Sequence, residues 1–273
     1  MAITNFIPTV WSKALYDELA KNYVGVKLSN REFEGEIKSQ GDRVKINGLG
    51  PVTVFNYTKN SNMPSPEILS DNTRTLVVDQ AKGFNFCIDS IDDVQSSPDL
   101  IRAAMKKAAD ALSDVADKYI YSLTDDEVET VENLAVDTEN ILKTLSDARR
   151  ILMEHNVSNS TRISLEVPPA VEQVLVLAKV LRDTDNSRDF ANGYIGRLMG
   201  FDIYVTNNIT ADENGVYKCV ARTERAIAFA EQINSIKPYE PEQRHGTAVK
   251  GLHLYGAKIV YPKEMVFLNL TVA

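Results

Sequence analysis

Apolar side chains recur every three or four residues at Ile101, Ala104, Met105, Ala108, Leu112, Val115, Tyr119 and Leu123, the period of one face of an α-helix. Lys106, Asp110, Asp114 and Lys118 share another face, where Lys106 with Asp110 and Asp114 with Lys118 make i,i+4 ion pairs worth a few tenths of a kcal/mol each. Ser97-Pro98-Asp99 supplies an N-cap, a proline suited to the first helical position and a carboxylate for the positive end of the helix dipole. The spacing therefore predicts a helix over about 98–123. At 1.5 Å per residue this rod is about 39 Å long, against about three turns for an ordinary helix. Such a helix is a structural spine, and its alanine-rich face lets a sheet approach closely.

The segments before it cannot make a core of their own. Trp11, Leu15 and Leu19 fall at i, i+4 and i+8, a short amphipathic helix. The stretch 3–10, with Pro8, has no partner pattern and reads as an arm that packs on something external. From 31 to 79 the pattern is one of strands and turns. Val44 and Ile46 alternate with charged neighbours, 47–51 (Asn-Gly-Leu-Gly-Pro) reads as a turn, and 52–57 runs out again, which predicts a β-hairpin. A polar stretch punctuated by Pro64 and Pro66 follows, then a returning strand over 73–79. Large apolar residues are few here, so the tip of this loop is expected to project. A lone two-stranded ribbon is marginal in water, and a neighbour would stabilise it.

Beyond the spine, an acidic loop over 124–129 leads into alternating helices and strands. Helices are expected over 138–155, capped by Thr138 with Glu139 in the first turn, and over 170–181. Strands are expected at 162–167, stopped by Pro168-Pro169, and at 201–206. Residues 212–215 (Asp-Glu-Asn-Gly) make a hairpin turn, followed by strands at 216–220 and 226–233, the latter with helix as an alternative around 223–230. The chain closes with strands at 249–255, 257–261 and 266–272. The fold class is α+β.

Composition narrows function mainly by exclusion. With 273 residues, 44% of them hydrophobic and 25% charged, the chain is long enough for a substantial core and is not a disordered polymer. Its net charge of -8 opposes sequence-specific binding to a phosphate backbone. Cys87 and Cys219 lie far apart, outside any CxxC spacing, and fit two buried thiols in a reducing compartment. No segment resembles a signal peptide or reaches the ~18 apolar residues of a membrane span. No membrane association is expected.

Chemistry-bearing motifs are also missing. His155, His245 and His253 have no zinc-ligand spacing, and no metal site is expected. His155 falls at a helix C-terminus, where it caps the dipole, and His253 belongs to a strand face. Neither GxSxG, GxGxxG nor GxxxxGK[ST] occurs, so no catalytic residue and no cofactor is assigned. The acidic run at 125–129 lacks the calcium-loop pattern and reads as a solvated turn. Lys59 and Asn60 sit on the projecting loop as an exposed polar tip, and no cross-link between them is expected.

Several strings, in order, resemble the major capsid proteins of tailed bacteriophages, whose fold is shared with encapsulins: 6–11 (Phe-Ile-Pro-Thr-Val-Trp), 34–38 (Glu-Gly-Glu-Ile-Lys), 41–46 (Gly-Asp-Arg-Val-Lys-Ile), 79–82 (Asp-Gln-Ala-Lys) before Phe84 and Phe86, 111–117 (Ala-Leu-Ser-Asp-Val-Ala-Asp), 200–205 (Gly-Phe-Asp-Ile-Tyr-Val), 230–233 (Ala-Glu-Gln-Ile) and 251–260 (Gly-Leu-His-Leu-Tyr-Gly-Ala-Lys-Ile-Val). The resemblance implies an N-terminal arm and short helix (1–30), an extended β-hairpin loop (31–80), a peripheral domain built on the spine (81–124 and 235–273) and an axial α/β domain (125–234). It further implies hexamers and pentamers of the chain in an icosahedral shell around double-stranded DNA, with portal, scaffolding or decoration proteins as partners, first in the host cytoplasm and then in the virion. No scaffolding domain is expected to be fused ahead of the arm. The loop over 59–60 is where some relatives form lysine to asparagine cross-links. An encapsulin-like compartment loaded with cargo and a cytosolic α/β enzyme are the rival readings.

Overall fold

The computed structural model describes residues 15, 23–33, 41–49, 53–57, 59, 62–63, 65, 71–89, 99–158, 160–178, 194–242 and 246–272. The expected arm over 3–10, Trp11, the string 34–38, Ser97-Pro98 and His245 lie outside them. Within the expected N-terminal helix, Leu15 is helical and buried.

The spine is helix α1, Asp99–Ser122. Its buried stripe runs through Met105, Ala109, Leu112, Ala116 and Ile120, joined by the polar Ser113 and Asp117. Val115, expected on that stripe, is 39% exposed. The stripe turns towards the small residues because Ala109 and Ala116 allow the closest approach of the sheet beneath.

That sheet has three antiparallel strands in the order β3 (Gln80–Asp89), β10 (Gly246–Ile259) and β9 (Ile227–Tyr239). One face packs Val249, Tyr255, Phe229 and Ile227 against α1. The other packs Leu254, Ala228 and Ala230 against Val44, Ile46, Leu76 and Val78 of the ribbon formed by β1 (Arg43–Leu49) and β2 (Asp71–Val77). The alternation along β9 and β10 thus serves two layers at once.

A second core surrounds a six-stranded mixed sheet in the order β4 (Glu129–Val136), β11 (Met265–Val272), β8 (Tyr217–Thr223), β5 (Ile163–Val167), β7 (Phe201–Val205) and β6 (Tyr194–Leu198). Helices α2 (Ile141–Glu154) and α3 (Pro169–Leu177) contribute Leu145, Leu152, Val171 and Leu175 to it. Each such fully buried aliphatic side chain is worth about 1.5–3 kcal/mol. The fold is α+β, as expected.

Several boundaries differ from the sequence reading. β1 does not turn at 47–49. It continues through Gly48 and Leu49, pairing with Asn72 and Asp71, and residues 53–57 form no strand. The long pairing wins because it sets Val44 beside Leu76 and buries Ile46 and Val78 on the sheet below. The root of the loop therefore folds back on its own chain, and only the tip projects. The two strands expected at 249–255 and 257–261 are one strand, β10, because Gly256 lets it pass without a break. Helix α2 begins at Ile141, and its approach turn is capped by Asp137, whose carboxylate accepts the Glu139 and Asn140 N–H groups at 2.9 Å. Thr138 is not the cap. β11 joins the six-stranded sheet rather than the spine's sheet, and β9 enters the latter from Ile227. β3, β4 and β6 had no counterpart among the expected strands.

Candidate functional site at the arm and loop roots

Residues 23–33 leave the N-terminal region and pass the spine, the six-stranded sheet and the spine's sheet in turn, and buried charges fix them at each step. The first anchor is on the spine. Asp117, fully buried, accepts the N–H of Val24 on one oxygen at 2.9 Å and that of Val26 on the other at 3.0 Å. Gly25 lies between them because a Cβ there would stand 3.0 Å from the Tyr121 hydroxyl and 3.3 Å from Asp117 Oδ1. Burial raises the Asp117 carboxyl to about 6, more than the two backbone N–H groups lower it.

The second anchor is on the six-stranded sheet. Arg222 on β8 and Glu166 on β5 pair with Nε to Oε1 at 2.7 Å and no exposed side-chain surface. The rest of the guanidinium faces the arm root, donating to the carbonyls of Gly25 at 2.8 Å and Leu28 at 3.1 Å and to Ser29 Oγ at 2.9 Å. A buried charge pair gives little net stability, but it is costly to break, because the survivor is left uncompensated.

The third anchor is on the spine's sheet. Glu231 on β9 receives the Tyr23 hydroxyl at 2.7 Å, Arg31 at 2.5 Å and the Nε2 of His253 at 2.8 Å. Burial alone would raise the Glu231 carboxyl, but the hydrogen bond and charge of His253, with Arg31 and Tyr23, outweigh it and hold it below the usual range. Asn30 then pairs with the free edge of β9: its N–H donates to Ile227 O and its carbonyl accepts from Phe229 N, both at 2.9 Å.

The loop root has its own fastening. Arg74 on β2 reaches Asp125 at 2.9 Å, Glu127 at 2.5 Å and the Ile259 carbonyl at 3.0 Å. The acidic run at 125–129 is thus partly a counter-charge for the loop and not simply a solvated turn. A Cβ on Gly256 would come within 2.2 Å of Val77 O, so only glycine lets the ribbon lie this close to β10. Past this root the loop tip displays Val54, Tyr57 and Met63 at 91%, 66% and 68% exposure.

Burial pushes the hydroxyls of Tyr23 and Tyr121 and the Cys219 thiol upward, away from nucleophilic use. Among the described residues no group of three or more His, Cys, Asp or Glu is placed to hold a metal ion. His155 is the C-cap residue of α2, and its ring also reaches Glu129 at 2.9 Å and the Lys263 carbonyl at 3.1 Å. His253 lies on its strand as expected, and Lys59 is exposed. Sequence reading missed Asp117, Glu166, Arg222 and Glu231. The available signal was a charged residue inside an apolar run, as in Leu165-Glu166-Val167.

A family model described as phage capsid protein matches residues 71–267. The chain belongs to the phage capsid protein family. This capsid protein has a structural role in a phage shell, and its fold is that of solved capsids. It is similar to a chain of the structure titled Mycobacterium phage Che8, at 27% identity and TM-score 0.70 over 90% of each chain. It shares the fold of Gordonia phage Cozz, at 14% identity and TM-score 0.67 over 90% of this chain and 86% of the other. A virus-like particle from Pyrococcus furiosus has the same fold, at 14% identity and TM-score 0.61 over 96% and 99%. No curated protein sequence matches the capsid protein.

Proposed function

We propose that this chain is a major capsid subunit that associates as hexamers and pentamers and closes an icosahedral shell around double-stranded DNA. The observation that carries the reading is the exposed apolar loop tip on a root that buried and part-buried charges hold in place. Val54, Phe55, Tyr57 and Met63 are exposed, and such side chains gain by burial against another molecule. The loop is then a lever aimed at an adjacent subunit, and the arm ahead of Tyr23 crosses a subunit boundary from a fixed exit. The six-stranded region faces the capsomer axis and the α1 region the periphery. The chain works as a building block without catalytic activity, and Lys59 with Asn60 forms no cross-link. Net charge of -8 suits a wall that encloses DNA without gripping it. Portal, scaffolding or decoration proteins would act with it, first in the host cytoplasm and then in the virion.

Negative-stain microscopy and mass measurement of the purified protein test this. Closed particles of megadalton mass are expected, and a small soluble oligomer would refute the reading. An encapsulin-like compartment shares the fold but would carry protein cargo. Particles recovered from infected cells are expected to hold nucleic acid instead.

A further inference from the structure

The six-stranded sheet has two edges, β4 and β6, and they differ in charge. Among the described residues β4 pairs with β11 on one side only, and the backbone groups of its other side have no strand partner. Glu132 on β4, with Asp137 and Glu139 in the turn that follows, is exposed, and Lys143 is the cation that comes next in sequence. The β6 edge is the reverse. Arg197 lies on β6, Arg162 bonds Asp202 and Tyr204 on the adjacent β7, and Arg149 reaches the Met199 carbonyl in the β6–β7 turn. Asp202 faces two of these cations, and much of the Arg162 and Arg197 side chains stays exposed, at 68% and 60%.

A closed ring is built from heterologous contacts, in which one flank of a subunit meets the opposite flank of the next. Opposite edges of one sheet that carry opposite charge satisfy that geometry. We propose that the basic β6 edge docks against the acidic β4 edge of the next copy around the capsomer, an inference that rests on the ring assembly proposed above. Charge complementarity sets the direction of the ring and disfavours β4 against β4 or β6 against β6, where like charges would meet. The contact lies at exposed side chains, so it weakens with salt.

Charge exchange tests this, because in a homo-oligomer both changes meet at every interface. Arg197→Glu and Glu132→Lys are each expected to lower the yield of closed particles by at least about tenfold at low ionic strength. The double variant should recover to within about twofold of the unaltered protein. Thermal melts of the unassembled Glu132→Lys subunit should match those of the unaltered protein, and Arg197→Glu should lower them only slightly, because its 3.8 Å contact with Asp202 is exposed on the arginine side. If Glu132→Lys disturbs folding, Glu139→Lys replaces it in the same exchange. Single variants that assemble normally, or a double variant worse than either single, would overturn the inference. The unaltered protein would still form shells in that case, whereas its own failure to do so would remove the ring reading.

Discussion

Glu166 and Arg222 meet on neighbouring strands of the six-stranded sheet with Nε and Oε1 2.7 Å apart and neither side chain exposed. The pair does more than neutralise itself, because the other guanidinium nitrogens hold the carbonyls of Gly25 and Leu28. A strand contact is thereby turned into an anchor for the chain leaving the arm. Arg222→Met strands Glu166 in the core and should destabilise the subunit by about 3–5 kcal/mol. Glu166→Leu combined with Arg222→Met should recover part of that, while amide exchange at 25–29 stays fast. Denaturant unfolding with exchange mass spectrometry measures both.

At Gly256 even one methyl group is too many. Its Cβ would fall 2.2 Å from Val77 O, a backbone atom that cannot rotate away. Gly256→Ala should cost about 1–3 kcal/mol, typical of overpacking, and should expose the β1–β2 ribbon to proteolysis. Wild-type resistance at 41–49 and 71–78 in that variant would contradict the close approach.

Arg74→Ala removes contacts to Asp125, Glu127 and the Ile259 carbonyl together. The site is part-buried, and Glu127 is 67% exposed, so solvent screens much of the charge energy. A loss of about 1–2 kcal/mol is expected. The Asp125 carboxyl, held below its ordinary value by the Glu127 N–H and Arg74 against the upward effect of its burial, should move up. Carboxylate titration by NMR of the unassembled subunit reads that shift.

Asp117 gives a pH dependence of defined sign. Its carboxyl stands at about 6 against an ordinary 3.8 because burial penalises the charged form. The folded state therefore takes up a proton as pH falls through about 6. Stability contributed by this group is fully present below the ordinary value and is lost as pH rises through the folded one. The difference between these two values is worth on the order of 3 kcal/mol. Compared with Asp117→Asn, the unaltered subunit should gain stability by that order between pH 7 and pH 4. Parallel stability curves would contradict the assignment.

The spine was legible because one period ran unbroken for seven turns' worth of residues, and local hydrogen bonding makes such a pattern self-sufficient. The strands at 163–167, 201–205 and 265–272 announced themselves through β-branched and aromatic runs. β1 was misread at its turn because Asn47-Gly48 is a strong hairpin signal, and only the distant pairing with 71–77 overrides it. β4 was hidden by its exposed carboxylates, as expected of an edge strand that guards against stray pairing. The anchors at the arm root left only a faint trace, such as a charged residue inside an apolar run, for a different reason. Asp117, Glu166, Arg222 and Glu231 are ordinary charged residues in sequence, and their meaning arises from partners 22 to 208 positions away.

The central claim is that the loop tip gains its burial from a sister molecule. Side-chain footprinting of Phe55, Tyr57 and Met63, in assembled particles and in dissociated subunits, tests it most directly. Strong protection of all three on assembly is predicted, with Tyr23 and Phe229, already buried in the single chain, unchanged. Equal labelling of the tip in both states would contradict the account.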